Sequence, residues 1–166
     1  IRDYYASRWL GDVYKRQELH VADGMILPNL KMTDKDVCPF LKEKRCSIHS
    51  FRPGICRVFP LGRIYEENRL DYFLQVDGCA KENRSKIKVS KWLDTPELKK
   101  NQQYLIDWHA FRKKIKSILG EMSDENQKKT ITMFLLNTFY INPYDAEQDF
   151  YPQFYVRLDR IAQVIA

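Results

Sequence analysis

The chain has 166 residues and a formal net charge of +6, with 44% hydrophobic and 30% charged residues. This length and apolar content predict one domain with a core of its own. No apolar run approaches the roughly 18 residues that span a bilayer, and no signal peptide is visible, so we expect no membrane partner and a cytoplasmic, reducing location. The positive charges are spread along the chain, and their densest stretch, residues 81–91, lacks interleaved aromatic residues, which disfavours a nucleic-acid partner.

The first 17 residues, IRDYYASRWLGDVYKRQ, have no capping residues and no sustained hydrophobic period. They resemble a junction segment that recurs at the ends of unrelated proteins from metagenomic assemblies, so we interpret residues 1–17 as an artefactual segment. We then expect a single domain over residues 18–166, with the true N-terminus missing. Its start, as far as Met32, is predicted as partly extended chain with a turn at Asp23-Gly24.

Two segments with strand composition follow in the first part of this domain, residues 18–89. They cover residues 57–65 and 70–76, and residues 66–69 are predicted as the turn between them. Apolar and polar side chains alternate in the second segment. One face of this hairpin is therefore expected to pack on a core.

The second part of the domain, residues 90–166, has a sequence pattern typical of helices. The first helix is predicted to have Thr95 as its N-cap, Pro96 at its first position and Gly120 as its end. Its apolar residues recur at helical spacing and form one stripe. The stripe consists of Leu98, Leu105, Trp108, Ile115 and Leu119.

Two further helices are predicted after the first. Ser123 is expected to cap the second helix, which ends at Asn142-Pro143, and the third runs over about residues 145–165. Their stripes are typical of core packing and lack carboxylates spaced for a di-iron site. The stripe of the third helix consists of Phe154, Leu158, Ile161 and Ile165.

These elements predict the α+β fold class. We expect a small irregular cysteine-rich module with a β-hairpin over residues 18–89. About three C-terminal α-helices over residues 90–166 are expected to cover that module.

All four cysteines, Cys38, Cys46, Cys56 and Cys79, fall in one quarter of the chain. Their spacing, C-x7-C-x9-C-x22-C, differs from the C-x2-C pairs of zinc ribbons and ferredoxins. Thiols that meet in a fold are metal-bound, disulfide-bonded or reactive, and a reducing location favours metal over disulfides or inert thiols. We therefore take the four cysteines as candidate ligands of zinc or an iron–sulfur cluster.

Positive side chains lie beside two of the cysteines. Lys44-Arg45 precedes Cys46, and Arg52 and Arg57 flank Cys56. Positive neighbours favour the thiolate form that a metal needs. Arg52 and Arg57 are thus candidates to support the ligands and balance their charge; the alternative is that they bond backbone carbonyls.

Two further features concern the arrangement of the ligands. His49 lies three residues after Cys46, a spacing that could bring both to one site. Because four cysteines already suffice for a metal, the alternative for His49 is a partly exposed, hydrogen-bonding histidine. Pro53-Gly54 is predicted to form a tight turn that directs Cys56 inward.

The runs CPFL, CSIH and RPGICRVFP, which begin at Cys38, Cys46 and Arg52, and the late Gly78-Cys79 resemble the cysteine-cluster family of zinc- or iron-chelating proteins. The element R-P-x-x-C-R-x-F-P is the most specific part of the pattern. The resemblance covers about residues 36–80, and the helical remainder is only compatible with the family.

One departure from the family pattern is large. The pattern opens with a cluster of the type C-x2-C-x3-C-C, which this sequence lacks. Its expected place is just upstream of Glu18, where the artefactual segment lies. We therefore interpret the chain as N-terminally truncated, with the four cysteines as the downstream half of a larger thiolate cluster.

The resemblance implies a cytosolic protein that binds zinc or an iron–sulfur cluster through cysteine thiolates. One branch of the family is associated with N-methylation of flagellin lysines, which implies as an alternative an iron–sulfur enzyme acting on a protein substrate, or a redox protein. No catalytic residue of this chain can be matched to that branch. A structural zinc module is the third interpretation.

Overall fold

The computed structural model describes residues 17–22, 24–33, 35–78 and 86–165. These residues fall into two compact units, one formed by residues up to Phe51 together with those from Ile115 onward, and the other by Arg52–Lys114. The artefactual segment predicted for residues 1–17 lies outside the described residues except for its last position, and the interpretation stays a prediction. No helix in the described part is long and apolar enough to cross a membrane.

The strands pair only as antiparallel hairpins, and each of the three sheets has two strands in the described ranges. Two of these hairpins precede the first α-helix, and the third follows it. The strands are β1 Gln17–Ala22, β2 Met25–Leu30, β3 Leu41–Lys42, β4 Arg45–Cys46, β5 Leu61–Glu66 and β6 Arg69–Leu74.

The longest helices lie in the C-terminal half of the chain, so the predicted α+β class is confirmed. Short 3₁₀ turns occur at His49–Phe51 and Val76–Gly78, and a π-helical turn occupies Asn137–Ile141. The α-helices are α1 Gly54–Val58, α2 Val89–Leu93, α3 Leu98–Glu121, α4 Glu125–Leu136 and α5 Phe150–Ile165.

The first unit opens with the β1–β2 hairpin, whose strands end in the register Ala22↔Met25. Gly24, the described residue of the predicted Asp23-Gly24 turn, has φ +78°, a backbone conformation that glycine adopts without a steric cost. Met25 is buried, and β2 contacts α4. The sequence pattern indicated extended chain here, and the structure adds the pairing of the two strands.

The cap of α4 differs by one residue from the prediction. Asp124, rather than Ser123, is the N-cap, and its side chain accepts hydrogen bonds from the backbone N–H groups of Asn126 and Gln127. An aspartate at this position also places a negative charge at the positive end of the helix dipole. Both residue types are good caps, and sequence alone does not distinguish neighbouring candidates.

Aromatic side chains form much of the core of the first unit. The ring of Phe154 packs against the rings of Phe139 and Phe150, with centroids 5.7 and 5.8 Å apart. Phe154 and Ile161 are 2% and 0% exposed, so these two members of the predicted α5 stripe face the core, while Leu158 is half-buried. Burial of such large apolar side chains stabilises the fold by about 1.5–3 kcal/mol each.

Arg157 on α5 holds the end of the π-helical turn. Its guanidinium donates to the backbone carbonyls of Thr138, Asn142 and Pro143 at 2.6, 2.8 and 2.6 Å. The same group lies 3.6 Å from the ring centroid of Tyr144. A planar, five-donor guanidinium is the side chain that can satisfy several helix-end carbonyls and stack on a ring at once.

In the second unit the first predicted strand is shorter than expected. Arg57 and Val58 end α1, and Phe59-Pro60 forms a turn before β5 begins at Leu61. The predicted turn contracts to the two residues after Glu66. β6 then ends at Leu74, and Val76–Gly78 forms a 3₁₀ turn.

The start of α3 also differs from the prediction. Thr95 is not the N-cap: its hydroxyl donates to the carbonyl of Leu93. Pro96 and Glu97 form a turn in which Glu97 has φ +48°, and the carbonyl of Glu97 accepts from the N–H of Asn101. The helix therefore begins at Leu98, after a turn that the Thr-Pro-Glu pattern did not indicate.

We expect Arg157→Lys to lower the free energy of unfolding by about 2–3 kcal/mol. A lysine cannot reproduce the three carbonyl contacts together with the stacking on Tyr144, and charged hydrogen bonds contribute about 1.5–3 kcal/mol. Urea unfolding measures the effect. Arg160→Lys, at an exposed position of the same helix, is the matched control and should change stability by less than about 0.5 kcal/mol. Equal effects of the two substitutions would contradict the role of Arg157.

Two glycines of the second unit should respond oppositely to alanine. A Cβ on Gly62 would overlap the ring of Phe73, whereas a Cβ on Gly54 has open space. Gly62→Ala should cost about 1 kcal/mol, because the half-exposed Phe73 must move. Gly54→Ala should be neutral or stabilise by up to about 1 kcal/mol through a less flexible unfolded chain. Urea unfolding of both variants measures these changes in the free energy of unfolding. Equal changes for Gly62→Ala and Gly54→Ala would refute the predicted overlap with Phe73.

Candidate metal-ligand segments

Two of the cysteines are linked through Leu41 in the first unit. The N–H of Leu41 donates to the carbonyl of Cys38 at 3.0 Å, and Leu41 is the register partner of Cys46 in the β3–β4 hairpin. Cys38 and Cys46 are both half-buried. The turn and the strand pairing therefore fix the backbones of both cysteines relative to the same residue.

The base of this hairpin is closed by one carbonyl. The carbonyl oxygen of Phe40 accepts from the backbone N–H of Ser47 at 2.8 Å and from its hydroxyl at 2.9 Å. Phe40 and Ile48 are 6% and 7% exposed and anchor the hairpin by burial. Strands of two residues have almost no ladder of their own, so these contacts hold the hairpin in place.

The hairpin turn has an unusual composition for its backbone conformation. Glu43 and Lys44 join the strands with φ +48° and +62°. A two-residue turn with positive φ at both positions is normally made by Asn-Gly or Asp-Gly, because other residues meet a steric cost there. For that reason, the residues of this segment do not indicate a hairpin.

Cys56 lies on the short helix α1 in the second unit. Pro53 is the N-cap, and its carbonyl accepts from the N–H groups of Cys56 and Arg57 at 2.9 and 3.2 Å. The prediction that Pro53-Gly54 turns Cys56 inward is wrong, because Gly54 begins a helix on which Cys56 is exposed. An exposed thiol on a helix is accessible to a ligand or partner.

Arg57 connects α1 to the end of α2 within the same unit. Its guanidinium donates to the carbonyl of Arg52 at 3.3 Å and to that of Asp94 at 3.0 Å, and lies 3.5 Å from the Asp94 carboxylate. The indole N–H of Trp92 donates to the carbonyl of Phe59 and adds a second link. Arg57 thus bonds backbone carbonyls, as the alternative interpretation of the sequence expected. A role of Arg57 in supporting a metal ligand stays a prediction.

Three further candidate residues are His49, Arg52 and Cys79. His49 begins a 3₁₀ turn and is exposed, and Arg52 is half-buried. Cys79 lies outside the described residues. In the part of the chain that is described, no three His, Cys, Asp or Glu side chains form a group that could hold a metal ion. The sequence pattern did not indicate Asp94, whose carbonyl and carboxylate both contact Arg57, or Leu41, which acts through its backbone.

A family model labelled CxxCxxCC, described as a "putative zinc- or iron-chelating domain", matches residues 11–87. The resemblance to the cysteine-cluster family is therefore confirmed over this segment. It contains all four cysteines, and chelation of zinc or iron is the function that the family description gives. No curated protein and no solved structure matches the chain.

The chemistry of the cysteines fits such a metal. Cys38, Cys46 and Cys56 are thiols that form no disulfide. Thiolates are the soft ligands that zinc and iron–sulfur clusters take in proteins. The described residues do not form a complete set of ligands for one metal. The fit to zinc or an iron–sulfur cluster therefore rests on the thiolate donor type alone.

We expect Lys44→Gly to raise the free energy of unfolding by about 1 kcal/mol. Glycine removes the steric cost of the positive φ at this turn position. Lys42→Gly on the neighbouring strand is the matched control, and it should lower stability by about 0.5–1 kcal/mol because glycine weakens a strand. Chemical denaturation of both variants distinguishes the effects, and a loss of stability in both would contradict the turn geometry.

Proposed function

We propose that the protein binds zinc or an iron–sulfur cluster in the cytoplasm through thiolates of Cys38, Cys46, Cys56 and Cys79. The observation that carries this proposal is the linkage of Cys38 and Cys46 through Leu41. Two half-buried cysteines whose backbones contact the same residue supply two soft donors from one short segment. The match to a zinc- or iron-chelating domain supports the same conclusion.

Charge supports the thiolate form of this pair. Lys42, Lys44 and Arg45 lie in or beside the turn of the β3–β4 hairpin, and all three are exposed. Two thiolates at one metal bring two negative charges together, and nearby positive charges offset their repulsion.

Metal analysis of the full chain, purified without oxygen, tests the proposal. We expect stoichiometric zinc in a colourless protein, or iron with acid-labile sulfide in a brown one, and the two results distinguish the metals. Cys56→Ala should lose metal and the stability that metal adds, which is about 2.7 kcal/mol when free metal exceeds Kd 100-fold. His49→Ala should retain both. Thermal unfolding with and without a chelator measures the stability term.

Ile55→Ala is the matched control for Cys56→Ala, since Ile55 is the preceding residue of α1 and is 71% exposed. It should keep the metal content of the wild type. Equal metal in wild type and Cys56→Ala would reject Cys56 as a ligand. A wild-type chain that takes up neither zinc nor iron would reject the proposed function.

A further inference from the structure

The outer edge of β1 is open within the described part of the chain. Because two residues join β1 to β2, the flanking pair Ala22↔Met25 is hydrogen-bonded, and hydrogen-bonded and non-hydrogen-bonded pairs alternate from there. Leu19 and Val21 fall in non-hydrogen-bonded pairs, so their N–H and C=O groups point away from β2. The sheet has two strands, and among the described residues no other backbone group bonds to this edge.

The outer edge of β2 is protected in a way that the edge of β1 is not. Pro28 pairs with Leu19 in a non-hydrogen-bonded pair, so the N–H that proline lacks is one that would point outward. Proteins use proline and lysine on outer edges to prevent the addition of a further strand. Gln17–Ala22 contains neither residue. β1 is therefore the edge of this hairpin that another strand can join.

The side chains of β1 divide into an apolar and a polar set. Leu19 and Val21 are 62% and 66% exposed and lie on one face of the strand. Glu18 and His20 lie on the other face, and both are exposed. Apolar side chains on an unpaired edge strand favour association with another chain, and the polar set determines which chain fits.

This strand is complementary to a second copy of itself. In an antiparallel pair of β1 strands centred on Leu19, the outward groups of Leu19 bond to those of Leu19 in the second copy. The outward groups of Gln17 bond to those of Val21, so the two strands exchange about six hydrogen bonds. Glu18 then lies opposite His20 of the second copy in a non-hydrogen-bonded pair, where side chains are closest. The carboxylate of Glu18 can accept from the imidazole N–H of His20 there.

We propose that two copies of the chain pair through β1 in this register, so that two hairpins form one four-stranded sheet. A shift of two residues in either direction places Glu18 opposite Glu18 or His20 opposite His20, and it loses one hydrogen-bonded pair. The interface is the same patch on both copies, as a two-fold dimer requires. Because each copy contributes a strand of six residues, we expect a weak dimer. The contact uses no cysteine and does not depend on the proposed metal site.

Sedimentation velocity of the full chain, from about 10 μM to about 1 mM with a reductant present, tests the proposal. The wild type should shift from monomer to dimer as its concentration rises. Leu19→Pro removes an outward N–H and leaves the bonds between β1 and β2 in place, so it should raise the dimer Kd at least about tenfold. His20→Glu should also raise the Kd, because it places two carboxylates opposite each other.

A double variant distinguishes the proposed register from general damage to the hairpin. Adding Glu18→Lys to His20→Glu again places opposite charges across the interface, and it should return the Kd to within about threefold of the wild type. Gln163→Glu is the matched control for His20→Glu, since it adds a carboxylate at an exposed position of α5. It should leave the Kd unchanged. Circular dichroism shows whether each variant is folded.

Amide hydrogen exchange shows whether β1 itself forms the contact. The N–H groups of Leu19 and Val21 should be protected more strongly at high than at low protein concentration. The N–H of His20 bonds to β2 in the single chain, so its protection should change less.

Three results would overturn the proposal. The first is a wild type that stays monomeric at about 1 mM. The second is a dimer whose Kd both Leu19→Pro and His20→Glu leave unchanged, since its interface would then lie elsewhere. The third is a folded double variant that pairs no better than His20→Glu, which would reject the contact between Glu18 and His20.

Discussion

Two carbonyl oxygens fix the backbone beside the cysteines, and each accepts two hydrogen bonds. In the first unit, the carbonyl of Phe40 accepts from the N–H and hydroxyl of Ser47, which closes the hairpin between Cys38 and Cys46. In the second unit, the carbonyl of Pro53 accepts from the N–H groups of the first turn of α1. Neither segment is long enough to be stable from its own secondary structure, so local polar contacts and a few buried side chains hold both.

Arginine side chains extend this use of carbonyl acceptors. Arg57 and Arg157 each bond several main-chain carbonyls and so join segments that are distant in sequence. A guanidinium suits this role because its five donors point in fixed directions and remain charged. Arg63 differs, because its Nε is buried without a partner among the described residues.

The sequence predicted elements with a strong period better than it predicted turns and caps. The buried stripe of α5, with Phe154 and Ile161, followed from helical spacing because one face of an amphipathic helix must pack. The β3–β4 hairpin was missed because Glu43 and Lys44 adopt positive φ without glycine or asparagine. The cysteines were recognised from a motif, but their burial was not, since Cys56 lies exposed on the short helix α1, which the sequence pattern did not predict.

The weakness of the cysteine-bearing hairpin has a thermodynamic consequence for metal binding. Two-residue strands and a turn with positive φ give this segment little stability of its own. A metal bound by Cys38 and Cys46 would hold together the two ends of the segment, so part of its binding free energy would be folding free energy. Metal affinity and hairpin stability are then linked. If the hairpin is more stable without metal, less of the binding free energy is used to fold it, and the observed metal affinity is higher.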